Sequence, residues 1–374
     1  MRGVYVKTLK NWVGEQLKRV LNLSIKIKIN HMKKLVSFLS IACIAISATA
    51  QETLYLSKPL TTEAVNRIEA KTSGGSIGVA GNHDQDARLE IYVSLNRHNR
   101  NLSKEEIDTK IKDDYDFSID VSGGKLTVIA LPKHNFTNWE RALYISFKIF
   151  VPQNVATDLT TSGGSISLSN LSGTEQFKTS GGNLTVERLA GKTNGKTSGG
   201  SIRVTDSKDE IDLSTSGGSV HASNCMGKIK LRTSGGSITL QDLKGDVNAS
   251  TSGGSVVGNN IGGDLIASTS GGNLKLMALQ CSLDASTSGG SINAQVTEPR
   301  DFVKVSTSGG HIDLSVPKDK GYDLRLYGNK MDRNFSLHNF SGTVQDDKIE
   351  GTINGGGIPV TAHDSGGKIN LSFD

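Results

Sequence analysis

The chain of 374 residues carries 42 Lys/Arg against 37 Asp/Glu, a formal net charge of +5, and only 5% of it is aromatic. Residues 1–50 hold nine Lys/Arg and one Glu, which leaves 33 basic and 36 acidic residues and a net charge of −3 for the rest. The basic balance therefore belongs to the leader, and a nucleic-acid partner loses its electrostatic support.

Residues 1–31 read as a segment from an upstream mis-start, with Met32 as the true start. Residues 32–50 read as a signal peptide. Lys33-Lys34 is the basic region, Leu35 to Ile46 the apolar stretch, and Ala48-Thr49-Ala50 the small-residue cleavage pattern before Gln51. That stretch is shorter than the ~20 residues that span a bilayer. An exported protein, periplasmic or on the cell surface, is expected, with no transmembrane segment in the mature chain. A minor alternative is lipoprotein anchoring through Cys43, after Leu39-Ser40-Ile41-Ala42.

Residues 51–150 read as an irregular β-rich N-terminal cap with a short helix. An early Lys71-Thr72-Ser73-Gly74-Gly75-Ser76-Ile77 and a degenerate Val121-Ser122-Gly123-Gly124 flank a strand over Leu89 to Leu95. Ser103-Lys104-Glu105-Glu106 has capping-box spacing before a helix reaching Asp114. Leu143 to Val151 is a strand leading onward, closed by Pro152.

Residues 151–316 are the repeat array. Thr-Ser-Gly-Gly recurs at Thr161, Thr179, Thr197, Thr215, Thr233, Thr251, Thr269 and Thr287 at 18-residue intervals, and again at Thr307 after 20. Counting from each Thr, the sixth and eighth positions are apolar in alternation, as in Ile202/Val204 and Ile238/Leu240. The fifteenth and seventeenth repeat the pattern, as in Ile211/Leu213 and Ile229/Leu231. This period of two marks short strands with one buried face. Neither strand buries that face alone, so repeats must stack. The expectation is an all-β fold: a single-stranded parallel β-solenoid (β-helix or β-roll) with 18-residue coils and the cap described above. Gly-Gly is expected to supply positive φ at one corner, with Thr and Ser laddering between coils. Residues 317–374 read as degenerate C-terminal coils or cap.

Cys225 and Cys281 lie about three coils apart, or roughly 14 Å, too far for a disulfide, and Cys225 occupies an apolar repeat position. With Val151-Pro152 leading into Thr161-Ser162-Gly163-Gly164-Ser165-Ile166, Leu243-Lys244-Gly245 within a repeat, and Ile353-Asn354-Gly355-Gly356-Gly357 ahead of Gly366-Gly367-Lys368-Ile369, the chain resembles a bacterial β-strand-repeat family of unknown function that carries an adhesin label. The resemblance implies an exported bacterial β-solenoid and carries over no catalytic residues.

No catalytic, cofactor-binding or metal site is expected, and no cofactor. The outward acids Asp206, Glu210, Asp212, Asp242, Asp246, Asp264 and Asp284 are scattered along the array, and Lys230 follows Asp212 one coil on. Glycoside chemistry needs two converging carboxylates. Calcium-binding rolls need Asp in the turn, where this chain has Thr and Ser. His221 and His311 sit outward or at corners, and His83, His98 and His134 lie in the cap. Phe136, Trp139 and Tyr144 are the one aromatic concentration, read as cap packing. The function expected is a non-enzymatic structural or adhesive module at the bacterial envelope, with an envelope or extracellular protein or glycan surface as partner. The alternatives are a polysaccharide-binding or polysaccharide-processing β-helix, and an envelope sensor or scaffold bound to another protein.

Overall fold

The computed structural model describes residues 53–60, 64–83, 86–95, 102–134, 142–332 and 339–374. The leader with Cys43, together with His98, Phe136 and Trp139, lies outside them. Among the described residues the fold is all-β with one helix, and its strands are arranged as in a β-solenoid. Ahead of the array come β1 (Thr53–Pro59), β2 (Arg67–Thr72), β3 (Ile77–Ala80), β4 (Arg88–Leu95), α1 (Lys104–Asp114), β5 (Tyr115–Ser122), β6 (Lys125–Pro132) and β7 (Leu143–Phe150). Short strands then alternate: β8 (Ala156–Thr160), β9 (Ile166–Ser169), β10 (Ser172–Lys178), β11 (Leu184–Glu187), β12 (Ala190–Lys196), β13 (Ile202–Thr205), β14 (Lys208–Ser214), β15 (Val220–Ser223) and β16 (Met226–Arg232). β17 (Ile238–Ser250), β18 (Val256–Thr269) and β19 (Leu274–Thr287) each run through both halves of a repeat. β20 (Ile292–Val296), β21 (Val303–Thr307), β22 (Ile312–Val316), β23 (Tyr322–Asp332), β24 (Phe340–Val344), β25 (Lys348–Ile353) and β26 (Ile358–Phe373) complete the chain.

Two parallel ladders run through the repeats. The first sheet takes β3, β9, β11, β13 and β15, then the leading halves of β17 to β19, β20, β22 and the tail of β26. The second takes β2, β8, β10, β12, β14 and β16, then the trailing halves of β17 to β19, β21 and the head of β26. Register partners are like positions of successive repeats, such as Leu184↔Ile202 and Ser172↔Ala190. Like therefore stacks on like: Ile202, Val220, Ile238, Val256, Leu274, Ile292 and Ile312 form one column, each at most 1% exposed. Burying each such side chain is worth roughly 2 kcal/mol.

At the Thr-Ser-Gly-Gly corner the structure departs from the expectation. None of these glycines has positive φ. The second Gly is required by close approach instead: a Cβ on Gly236 would stand 2.1 Å from the Gly218 carbonyl oxygen of the preceding repeat. The first has room, since a Cβ on Gly235 would be 3.5 Å from its nearest neighbours. The hydroxyls do not ladder with one another either. Thr233 Oγ1 donates to the Gly218 carbonyl (2.7 Å) and accepts from Gly236 N–H (3.2 Å), and the same pair of bonds recurs from repeat to repeat. Each buried Thr thus closes its own turn and ties it to the repeat before. Positive φ appears at the opposite corner, at Asn224, Asp242 and Asn260 and at Gly227, Gly245 and Gly263; Asn is the residue type besides Gly that adopts it readily.

A third ladder runs along the outer side of the first sheet. The fifth residue of each repeat accepts, through its side chain, the backbone N–H of the fifth residue of the next. The series passes through Ser219, Ser237, Ser255, Asn273 and Ser291 to His311, whose Nδ1 accepts from Lys368 N–H at 3.3 Å.

Both ends of the array are permuted. β2 and β3 lie between β8/β9 and the later strands β6 and β7. At the other end β26 lies between β21/β22 and the earlier strand β23. Antiparallel strands finish each stack: β5 on β6, β4 on β7 and β1 on β4, then β25 on β23 and β24 on β25. Helix α1 opens with a capping box between Ser103 and Glu106, buries Ile107 and Ile111, and is tied to β1 by Tyr55 OH donating to Asp108 (2.6 Å).

Candidate functional site: the outer face of the first sheet

The two sheets present different chemistry outward. Across the eight repeats from Thr161 to Thr287, the 24 outward positions of the first sheet (fifth, seventh and ninth) include three charged residues, Glu187, Arg203 and Lys275. The 24 register-equivalent positions of the second sheet (fourteenth, sixteenth and eighteenth) include twelve. The first face is otherwise mostly Ser, Thr, Asn and Gln, a regular field of hydroxyl and amide groups with strands ~4.8 Å apart.

Near β7 that face is hollowed. Gly78 stands in register between Lys148 of β7 and Ser167 of β9, and its missing side chain opens a groove of ≈ 270 Å³. Ser76, just before β3, Gly78 and Ala80 of β3, and Ser165, Ser167 and Ser169 of the adjoining repeat line it. Lys148 and Phe150 form its far wall, stiffened by β4. The Arg88 guanidinium lies 3.9 Å from the Phe150 ring centroid and the Lys148 ammonium 4.1 Å from that of Tyr92. His83 meets the Phe150 ring edge-on at 5.0 Å. Glu90 accepts from Arg88 Nε (2.8 Å) and Tyr92 OH (2.9 Å). The Arg88 bond is the main cause holding Glu90 below the usual carboxylate range.

The acids singled out in the sequence do not converge. Asp206 and Asp242 occupy the positive-φ corner and accept from Asn224 (3.2 Å) and Asn260 (2.6 Å) one repeat on. Glu210 meets Lys192 (3.4 Å) and Asp284 meets Lys304 (3.2 Å). Asp212 pairs with Arg232 at 2.7 Å rather than with Lys230, its register neighbour. Asp246 and Asp264 are exposed on the second sheet. His221 lies on the first-sheet face, and burial, followed by repulsion from Arg203, lowers its pKa. His83 contacts Asp86 (3.0 Å), and His134 is exposed. Tyr144 packs at the corner, where a Cβ on Gly74 would come within 2.4 Å of its ring. Cys225 and Cys281 are buried free thiols, and burial pushes Cys281 up to about 12. Ser365 Oγ lies 3.3 Å from His363 Nε2 on an exposed corner remote from the groove lining.

Among the described residues no three His, Cys, Asp or Glu side chains are grouped to hold a metal ion, and no helix is long and apolar enough to cross a membrane. Reading the sequence did not find the groove. Its one signal is Gly78 in an outward position beside the alternating Ser146/Lys148/Phe150 of β7.

A family model, Toastrack DUF4097, matches residues 42–372. No curated protein matches the chain. Solved structures that match the chain include a "putative adhesin" of Parabacteroides merdae, at 14% identity over 84% of this chain and 95% of that one, TM-score 0.33. A "putative lipid binding protein" of Parabacteroides distasonis gives 13%, 84% and 96%, TM-score 0.27. A "putative cell adhesion protein" of Clostridium sporogenes gives 10%, 87% and 99%, TM-score 0.19.

Proposed function

The chain belongs to the Toastrack DUF4097 family, and on that premise we propose that it is an exported, non-enzymatic adhesive module of the bacterial envelope. In this reading residues 32–50 are a cleaved signal peptide, residues 51–150 and 317–374 close the ends, and residues 151–316 form a single-stranded parallel β-solenoid of 18-residue coils. The in-register ladders, with partners such as Leu184↔Ile202, support the coil assignment.

The observation that carries the function is the contrast between the two outer faces. A flat field of Ser, Thr, Asn and Gln with few charges matches a neutral, hydroxyl-rich surface. Many weak hydrogen bonds then add through multivalency, without a single deep site. From β7 to β26 the first sheet extends roughly 50 Å at ~4.8 Å per strand, enough for several sugar units. The groove beside Phe150 favours a glycan over a protein as the surface contacted, because aromatic and small polar groups line it together.

A glycan array read alongside surface-charge variants tests this. Thr185→Glu, Thr239→Glu and Asn293→Glu on the first sheet together are expected to weaken binding at least tenfold. Gln176→Glu, Asn194→Glu and Asn248→Glu on the second sheet leave it within twofold. Equal effects from the two sets overturn the face assignment, and release of reducing sugar from any bound glycan overturns the non-enzymatic reading. Protease accessibility on intact cells distinguishes a surface location from a periplasmic one.

A further inference from the structure

The inward column of the second sheet is apolar in most repeats, as at Ile211, Ile229, Val247 and Leu265. In three successive strands it is polar instead. Thr157 of β8, Glu175 of β10 and Thr193 of β12 stand in register and are 4%, 0% and 1% exposed. Thr157 Oγ1 donates to Glu175 Oε2. Glu175 Oε1 and Thr193 Oγ1 have no hydrogen-bond partner although both are buried.

The surroundings offer the carboxyl nothing to balance a charge. The next inward column holds Leu159 and Phe177, and the Phe177 ring fills the space left by Gly195, where a Cβ would come within 2.3 Å of it. Inward residues of the first sheet in the same repeats, Ile166, Leu168, Leu184 and Val186, are apolar and buried. Charges on the three strands themselves (Asp158 on β8, Lys178 on β10, Lys192 and Lys196 on β12) sit on the exposed side of the pleat. Gly173 leaves the room that Oε1 occupies: a Cβ there would be 3.2 Å from it. A carboxylate placed here faces the full cost of desolvation against bonding to Thr157 alone.

We propose that Glu175 is a proton-binding site inside the β8–β10–β12 stack, neutral when the stack is tightly formed, and that loss of its proton to solvent loosens these three strands. Oε2 accepts from Thr157, which leaves Oε1 to carry the proton. Burial raises the Glu175 pKa from 4.5 to about 7, with hydrogen bonding from Thr157 opposing it. The folded value lies above the unfolded one, so this contribution is fully present below about pH 4.5. It declines as pH rises to about 7 and stays flat above. Over that window the closed-to-open ratio falls about 300-fold. The device is independent of what the outer face binds.

Hydrogen exchange of the full chain between pH 5 and 9, corrected for intrinsic rates, reads this directly. Peptides covering β8, β10 and β12 are expected to lose protection by about two orders of magnitude, while those covering β17 to β19 hold theirs. Glu175→Gln removes the pH dependence. Thr157→Val, which deletes the hydrogen bond that favours the carboxylate, moves the midpoint to higher pH. Unchanged protection in wild type across that range, or an unaltered pH response in Glu175→Gln, overturns the proposal. Should Glu175→Gln fail to fold, the infrared band of protonated carboxylic acid in wild type and Thr157→Val decides. A band that titrates near neutrality and shifts upward in Thr157→Val sustains the site, and the lack of one overturns it.

Discussion

Gly235 and Gly236 are neighbours in the chain and unequal in the structure. A methyl on Gly236 meets the Gly218 carbonyl at 2.1 Å, whereas one on Gly235 makes ordinary contact at 3.5 Å. Gly236→Ala is therefore expected to cost about 3 kcal/mol through overpacking, and Gly235→Ala less than about 0.5 kcal/mol; urea unfolding of the two variants measures the gap. Glu69 supplies a pH test on the second sheet. Lys125 (2.6 Å) and Lys71 (2.5 Å) hold its carboxyl down to about 2, the Lys125 hydrogen bond being the larger cause. Its folded value lies below the unfolded 4.5, so the stabilisation is present above about pH 4.5 and lost as pH falls toward 2. At this half-buried, solvent-screened position it is worth about 1 kcal/mol. Lys125→Met is expected to lower stability at pH 7 by about that much and to match wild type at pH 2, read from thermal midpoints. The opposite slopes of Glu69 and Glu175 follow from one difference: lysines surround the first, apolar side chains the second.

At the scale of elements, corners differ in what they accept. The 20-residue repeat places its irregularity around the second corner: Leu276 still pairs with Ala294 in the repeat register, the register shifts before Leu279↔Val296, and pairing resumes at Leu283↔Val303. A Gly-Ser insertion after Gly262, at the same corner of another repeat, is expected to cost about 1 kcal/mol. A single Gly inserted after Ile238 turns the inward side chains that follow it in that half of β17 outward and abolishes cooperative unfolding; calorimetry separates the two. Helix α1 has only Ile107 and Ile111 buried, so its cap carries weight. Ser103→Ala removes one side of the capping box and is expected to cost about 1 kcal/mol. The capping box was legible from Ser103 and Glu106 because both partners lie within one turn. The pairing of β2 with β6 was not, because nothing periodic links Arg67–Thr72 to Lys125–Pro132.

At the scale of the whole molecule, β2 and β26 each sit one place inside the stack, so each is paired on two edges rather than one. Removing residues 317–374 strips β26 from β21 and β22 and leaves two open parallel edges. Such edges recruit other chains, and the truncated protein is expected to elute as oligomers in size-exclusion chromatography while the full chain does not. An 18-residue period reports on contacts between a segment and its own copy one repeat away. Strand alternation and the corner at each Thr-Ser-Gly-Gly were therefore legible from residues such as Ile238 and Leu240. Positions that break the period are silent on where they go. The sequence by itself determined that repeats stack and which side chains face inward, because both follow from local alternation. Only the tertiary structure decided why Gly236 must be glycine, which strands flank Gly78, where β26 inserts and what surrounds Glu175. Each of those depends on which backbone edge or core space the rest of the chain leaves open.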